Sequence, residues 1–157
     1  MTLTIDQNLS TVQLTVEDGV WSYVWNTTRE SLGLHQITIT TPKNISDERF
    51  ILLLDAIPPS LSIETPVDGA ILEHGILTIS GYSSDNHAID HVEITLDNQT
   101  RQASGTTTWS LSWDTSVFPL GGHIISIKAV DTQGLISIKA CSFVLNESDH
   151  TWNPQIN

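Results

Sequence analysis

The residues with the most chemical potential cluster in two short stretches. His87-Ala88-Ile89-Asp90-His91 places two histidines four apart. On a helix that spacing puts both rings on one face, as a zinc site requires. Here the segment runs from polar Ser83-Ser84-Asp85-Asn86 into alternating apolar residues, so it reads as a loop entering a strand. The helical condition fails, and solvated histidines are the expectation. Asp85, Asn86 and Asp90 share this stretch, and Asp131 opens a second one, Asp131-Thr132-Gln133-Gly134. Oxygen ligands of this kind suit calcium. Their spacing matches no calcium loop, and each aspartate has an ordinary alternative, capping a turn through the nearby backbone. Asp85, Asp90 and Asp131 therefore form only a weak calcium candidate. No cofactor is assigned, and no tight metal requirement is expected.

Aromatic residues form the other notable pattern. Trp109, Leu111 and Trp113 alternate with Ser110 and Ser112, and Trp21, Tyr23 and Trp25 repeat the arrangement. A row of rings on one strand face is either a sugar-stacking platform or part of a core. Serines on the opposite face favour the core, polar side outward. Asn-x-Ser/Thr sequons for N-glycosylation occur at Asn8, Asn26, Asn44, Asn98 and Asn146, five of the eight asparagines. The Ser and Thr frequency, 36 of 157 residues, would place about two there. The excess fits a chain exposed to a glycosylating secretory route. The single cysteine, Cys141, excludes an intrachain disulfide and lies in an alternating segment, where it reads as a small buried apolar residue. No nucleophile elbow, phosphate-binding glycine loop or nucleophile–base–acid set is recognisable. No catalytic residue is assigned, and the chain is not read as an enzyme.

What must position these residues is a repeated set of short strands. Trp21-Ser22-Tyr23-Val24-Trp25-Asn26-Thr27 aligns with Trp109-Ser110-Leu111-Ser112-Trp113-Asp114-Thr115 at an offset of 88. At that offset Leu32-Gly33 matches Leu120-Gly121, His35 matches His123, and Ile37 and Ile39 match Ile125 and Ile127. Upstream, Val12–Val16 resembles Val92–Leu96 and Thr2–Ile5 resembles Ile76–Ile79; downstream, Phe50-Ile51-Leu52 resembles Phe143-Val144-Leu145. A period of 88 suits a sandwich domain of roughly 100 residues. Period-two alternation predicts strands near 61–64, 70–73, 76–82, 91–97, 108–113, 122–130 and 137–145 in the full copy. In the first it predicts 2–5, 12–16, 20–25, 35–41 and 48–55, with a tight hairpin at Glu17-Asp18-Gly19. The expected fold is all-β: two tandem immunoglobulin-like, fibronectin III-like β-sandwich domains, the first shortened. The expected domains are 1–56, 57–147 and a polar tail or linker at 148–157. Pro58 and Pro59 make the connection between the copies a stiff spacer.

Charge narrows the partners. Six Lys and Arg oppose 18 Asp and Glu, a net charge of −12, which disfavours nucleic acid and anionic membrane surfaces. The longest apolar run, Phe50–Leu54, is far shorter than the ~20 residues of a spanning helix. Residues Met1–Ile5 alternate and lack a basic region, so no signal peptide is expected and Met1 reads as a start inside a longer protein.

The second copy resembles the bacterial and archaeal Ig-like repeat modules of secreted and cell-surface proteins. The resemblance rests on Pro58-Pro59 ahead of Ile63-Glu64-Thr65-Pro66 and Gly69, then Ile79-Ser80-Gly81, Asp85-Asn86 with Ile89, and Val92-Glu93. Trp109-Ser110, Trp113-Asp114-Thr115, Gly122-His123 and Ala129-Val130-Asp131 with Gly134 complete it. It covers residues 57–146 well and 1–55 in part. It implies an extracellular or cell-surface, non-catalytic structural or adhesion module. The implied partners are other domains of the same parent protein, with a cell-surface protein or glycan as a further class. The alternative is a carbohydrate-binding accessory module of a secreted hydrolase, which requires an exposed aromatic row.

Overall fold

The computed structural model describes residues 1–7 and 12–147; the sequon at Asn8 and the expected tail at 148–157 lie outside the described residues. Every regular element among them is a strand, and the chain divides into two compact units, Met1–Asp55 and Ala56–Asn157. The first holds β1 (Thr2–Ile5), β2 (Val12–Gln13), β3 (Gly33–Thr40) and β4 (Ser46–Leu53). The second holds β5 (Ser60–Thr65), β6 (Ala70–Glu73), β7 (Ile76–Ser84), β8 (Ile89–Leu96), β9 (Gln99–Gln102), β10 (Thr108–Asp114), β11 (Gly121–Asp131) and β12 (Ile136–Asn146).

In the second unit two sheets face each other. One has the order β10-β7-β5, the other β6-β12-β11-β8-β9, with β6 parallel to β12 and the remaining pairs antiparallel. Alternation decides which side chains meet between them. Ile125, Ile127 and Ala129 point inward from β11, Val92, Ile94 and Leu96 from β8, and Cys141, Phe143 and Leu145 from β12. Ile79, Trp109 and Trp113 close the core from the other sheet, with the two tryptophans 1% and 0% exposed. Trp109 lies directly opposite Gly81 on β7, and a Cβ there would meet the Ser62 carbonyl oxygen at 2.0 Å and the indole at 2.5 Å. Gly81 is thus the space into which the large ring fits. Thr115 ends the row: its hydroxyl donates to the Gly75 carbonyl at 2.9 Å and accepts from the Gly75 N–H at 3.1 Å.

One strand of this unit carries no apolar alternation. β9, Gln-Thr-Arg-Gln, is wholly polar and forms a hairpin with β8 through Asp97-Asn98, both at positive φ (44° and 70°). Two central residues at positive φ match the twist of a two-residue hairpin.

The first unit is shortened further than the sequence implies. It is one sheet, β2-β1-β3-β4, which reproduces the β9-β8-β11-β12 half of the sandwich. Ile5 pairs with Ile37 just as Leu96 pairs with Ile125, so β1 corresponds to β8 and not to β7, and β2 corresponds to β9. A second correction concerns β4: Ile51, opposite His35, stands where Phe143 stands opposite His123. Phe50 is one residue out of that register, faces outward, and is 61% exposed. No strand forms over 20–25, where one was expected. The Asp18-Gly19 turn is present, closed by Glu17 and Val20 (3.0 and 2.8 Å). Beyond it, the segment that matches β10 pairs with no β7 counterpart among the described residues, and Trp21 and Tyr23 are exposed.

These contacts set two expectations for the second unit. Trp113→Ala should cost about 3–5 kcal/mol, the range for a large aromatic removed from a core. Gly81→Ala should also destabilise it, because the added methyl has only backbone and indole to displace. Urea unfolding of the second unit checks both; a Trp113→Ala change under ~1 kcal/mol would contradict a core role for that ring.

Candidate functional site

Among the described residues two histidines are buried, and their polar partners correspond. In the second unit the Asp97 carboxylate, in the β8–β9 turn, is hydrogen-bonded to Nδ1 of His123 on β11, and Nε2 of that ring lies 2.8 Å from the Pro119 carbonyl oxygen. The ring is stacked on Phe143 (centroids 5.3 Å) and edge-on to Phe118 (5.9 Å). In the first unit His35 Nδ1 lies 2.5 Å from Asp6 Oδ2, and Nε2 lies 2.7 Å from the Ser31 carbonyl oxygen. Trp25 packs edge-on against His35 at 5.2 Å. Asp6 and Gln7 also occupy a positive-φ turn (53° and 56°), so turn, aspartate and histidine are repeated together. The matched histidines were visible in the sequence; their aspartate partners were missed, because the β1 correspondence placed Asp6 opposite Ser80.

In each ring both nitrogens face acceptors. A general base needs a nitrogen lone pair turned to substrate, which neither ring offers. For His35 the consequence is a pKa raised above 6.5, first by the Ser31 carbonyl and next by Asp6. Asp6 is held below its usual 3.8, first by the Gln36 N–H and then by His35. The clamp ties the β1 end to β3 electrostatically.

The sequence candidates for calcium separate. Asp85, just after β7, and Asp131, at the end of β11, present carboxylate oxygens within 4.8 Å of each other. Asp85 Oδ2 accepts from the His87 N–H at 2.8 Å; Asp131 Oδ1 accepts from the Gln133 and Leu135 N–H groups at 2.8 and 2.9 Å. Both residues therefore cap turns, yet Asp85 Oδ1 and Asp131 Oδ2 are buried with no hydrogen-bond partner. Asp90 is elsewhere: exposed, with its carboxylate 2.7 Å from His91 Nδ1. His87 is exposed beside Asn86 (3.4 Å), and His91 lies on β8, so the two rings do not share a helical face.

The aromatic rows also separate. Trp109 and Trp113 are core, with the Arg101 guanidinium 4.3 Å above the Trp113 ring. Trp21 and Tyr23 are exposed and line a groove of about 600 Å³ with Val12, Leu14 and Val20. Cys141 is buried in the core, and burial raises its thiol pKa, with Asp68 adding to the effect. The sequon asparagines Asn26, Asn44, Asn98 and Asn146 are all exposed.

The facing sheets and their connections define an immunoglobulin-like β-sandwich. Residues 59–139, 81 of the 157, match the family model described as the bacterial Ig domain, and the chain belongs to that family. No curated protein matches the chain. Among solved structures it is similar to the fibronectin(III)-like modules of Clostridium thermocellum CbhA, with a TM-score of 0.55 at 12% identity over 99% of this chain and 83% of that one. It is also similar to part of the endo-β-1,4-mannanase from Thermotoga petrophila, with a TM-score of 0.52 at 14% identity. That match covers 60% of this chain and 21% of the enzyme. At these identities the likeness shows the fold. No helix among the described residues is long and apolar enough to cross a membrane.

The clamp of the first unit gives a pH expectation. A raised His35 pKa contributes stability that is fully present below pH 6.5 and lost as pH rises through the folded value. A lowered Asp6 pKa contributes stability present above 3.8 and lost as pH falls through its own folded value. The clamp therefore contributes fully between pH 3.8 and 6.5 and is lost beyond the two folded values, and an NMR titration of the His35 ring should show a midpoint above 6.5 that falls in Asp6→Asn. A midpoint at or below 6.5 in the unaltered chain would contradict this.

Proposed function

We propose that the chain is a non-catalytic structural module, a spacer or adhesive element, of a larger secreted or cell-surface protein. The observation that carries this reading is the use of the buried histidines. His35 and His123, each beside an aspartate, have both nitrogens engaged by that aspartate and a carbonyl within the fold. The tryptophan row of the second unit is likewise core. Similarity to part of a mannanase and to fibronectin(III)-like modules supports an accessory position in a parent protein, and the Pro58-Pro59 connection suits serial arrangement. An extracellular setting is part of the same proposal.

A carbohydrate-binding role is the second reading, favoured by the exposed Trp21 and Tyr23 beside their groove. Against it, those rings align with the core row of the second unit, and among the described residues no counterpart of β7 pairs with their segment. Two measurements separate the readings. The purified chain should release no sugar from a panel of polysaccharides; turnover abolished by a single side-chain substitution would overturn the non-catalytic proposal. Fluorescence quenching should report Trp21 as accessible, with no protection by soluble β-mannan or cellulose oligosaccharides; protection lost in Trp21→Ala would establish the sugar-binding reading instead.

A further inference from the structure

We propose that the loop end of the second unit binds a calcium ion between Asp85 and Asp131. The site rests on local geometry and goes beyond the spacer reading, which stands or falls separately.

The two aspartates are brought together by the fold. Asp85 opens the loop from β7 to β8, and Asp131 opens the hairpin from β11 to β12. The Thr132 N–H donates to the Ala88 carbonyl at 3.0 Å and joins these two connections. Each carboxylate uses one oxygen to cap its own turn, which fixes its orientation. The other oxygen of each, Asp85 Oδ1 and Asp131 Oδ2, is buried without a donor. Asp131 is 2% exposed, so water does not replace the missing partner freely. A buried carboxylate oxygen without a partner is costly, and two facing carboxylates repel each other as well. A divalent cation between them removes both costs.

The ligand chemistry favours calcium. Ca²⁺ binds oxygen at about 2.3–2.6 Å in flexible geometry, so one ion can bridge carboxylate oxygens within 4.8 Å of each other, as these are. Mg²⁺ demands near-ideal octahedral geometry and gives up its water reluctantly. Zinc prefers nitrogen and sulfur. Two carboxylates, completed by backbone carbonyls and water, fit a weak site of the class found in extracellular modules, with Kd on the order of 10⁻⁴–10⁻³ M. Such a site stabilises a fold that already forms without the ion, consistent with the sequence expectation of no tight metal requirement.

The test is thermal unfolding of the full chain in 5 mM EDTA, in CaCl₂ and in MgCl₂ at matched ionic strength, with calorimetric titration of CaCl₂ at 25 °C. Calcium at about tenfold over Kd should raise the Tm of the second unit by roughly 5 °C, and magnesium by clearly less. Asp85→Asn and Asp131→Asn should each abolish the shift and the heat of binding, since each amide keeps an acceptor oxygen for the turn cap. Asp90→Asn, whose side chain lies apart, should leave both intact. If Asp131→Asn does not fold, Asp85→Asn alone decides. Equal melting in EDTA and calcium, equal effects of magnesium and calcium, or a calcium shift that survives Asp85→Asn would overturn the proposal.

Discussion

An antiparallel sheet built from alternating residues has one apolar face, and that face must be covered. In the second unit the cover is β5, β7 and β10, and its largest pieces are Trp109 and Trp113. The details of that unit follow from seating these rings. Gly81 leaves room for one, Arg101 lies over the other, and Thr115 fastens the end of their strand to Gly75. Burial of two indoles and their aliphatic neighbours is the main driving force available to a chain with no disulfide.

The first unit shows the same sheet with no counterpart of β5 or β7 among the described residues. Leu3 is buried and His35 is held by its clamp, but Ile51, which occupies the place of Phe143, is exposed, and Trp21 and Tyr23 have no facing strand. A strand needs ladder partners as well as a suitable sequence. Trp-Ser-Tyr-Val-Trp has the alternation of β10, pairs with no equivalent of β7 among the described residues, and is irregular. The Asp–His clamp, by contrast, joins a hairpin turn to the next strand of the same sheet. It persists in both units because the turn and the strand it joins lie in the sheet that both units share.

Much of this was legible in the chain. Paired aromatic residues at an offset of 88 identify the repeat, and serines between them give the orientation of the row. Seven of the eight strands of the second unit follow from period-two alternation. β9 escaped because four polar residues carry no apolar period; only the Asp97-Asn98 pair marks its hairpin. The correspondence of β1 failed for a related reason. Thr-Leu-Thr-Ile alternates equally well against β7 or β8, and alternation fixes the face of a strand without fixing its partner. The deciding residue was Asp6, which follows β1 as Asp97 follows β8. Phe50 illustrates the cost of a one-residue shift: similarity to Phe143 placed it inward, and register turned it to solvent. Among the acidic residues, Asp85 and Asp131 share a loop end that the topology of a sandwich predicts. Asp90 lies one residue past the start of β8 with its side chain outward, a parity that sequence distance alone does not show.

The polar side chains within the second unit sort by whether the fold uses all of their bonding capacity. His123 has both ring nitrogens engaged; Thr115 donates and accepts; Glu93 pairs with Lys128 directly across β8 and β11, and that hydrogen bond lowers its pKa. Ser83 reaches the Thr106 carbonyl. Each of these has a partner; the indole N–H groups of Trp109 and Trp113 are buried without one, but they carry no charge and their rings are held by packing. Asp85 and Asp131, whose carboxylates come within 4.8 Å of each other, each keep one charged oxygen buried without a partner. Capping explains one oxygen of each and leaves the other, in a protein whose net charge of −12 already penalises added negative potential. A loop end that needed only turn caps would be served by asparagine, which supplies the same acceptor without the charge. Paired carboxylates at that position therefore call for a positive partner, and the histidines and arginine of this unit whose bonds are described are already engaged elsewhere.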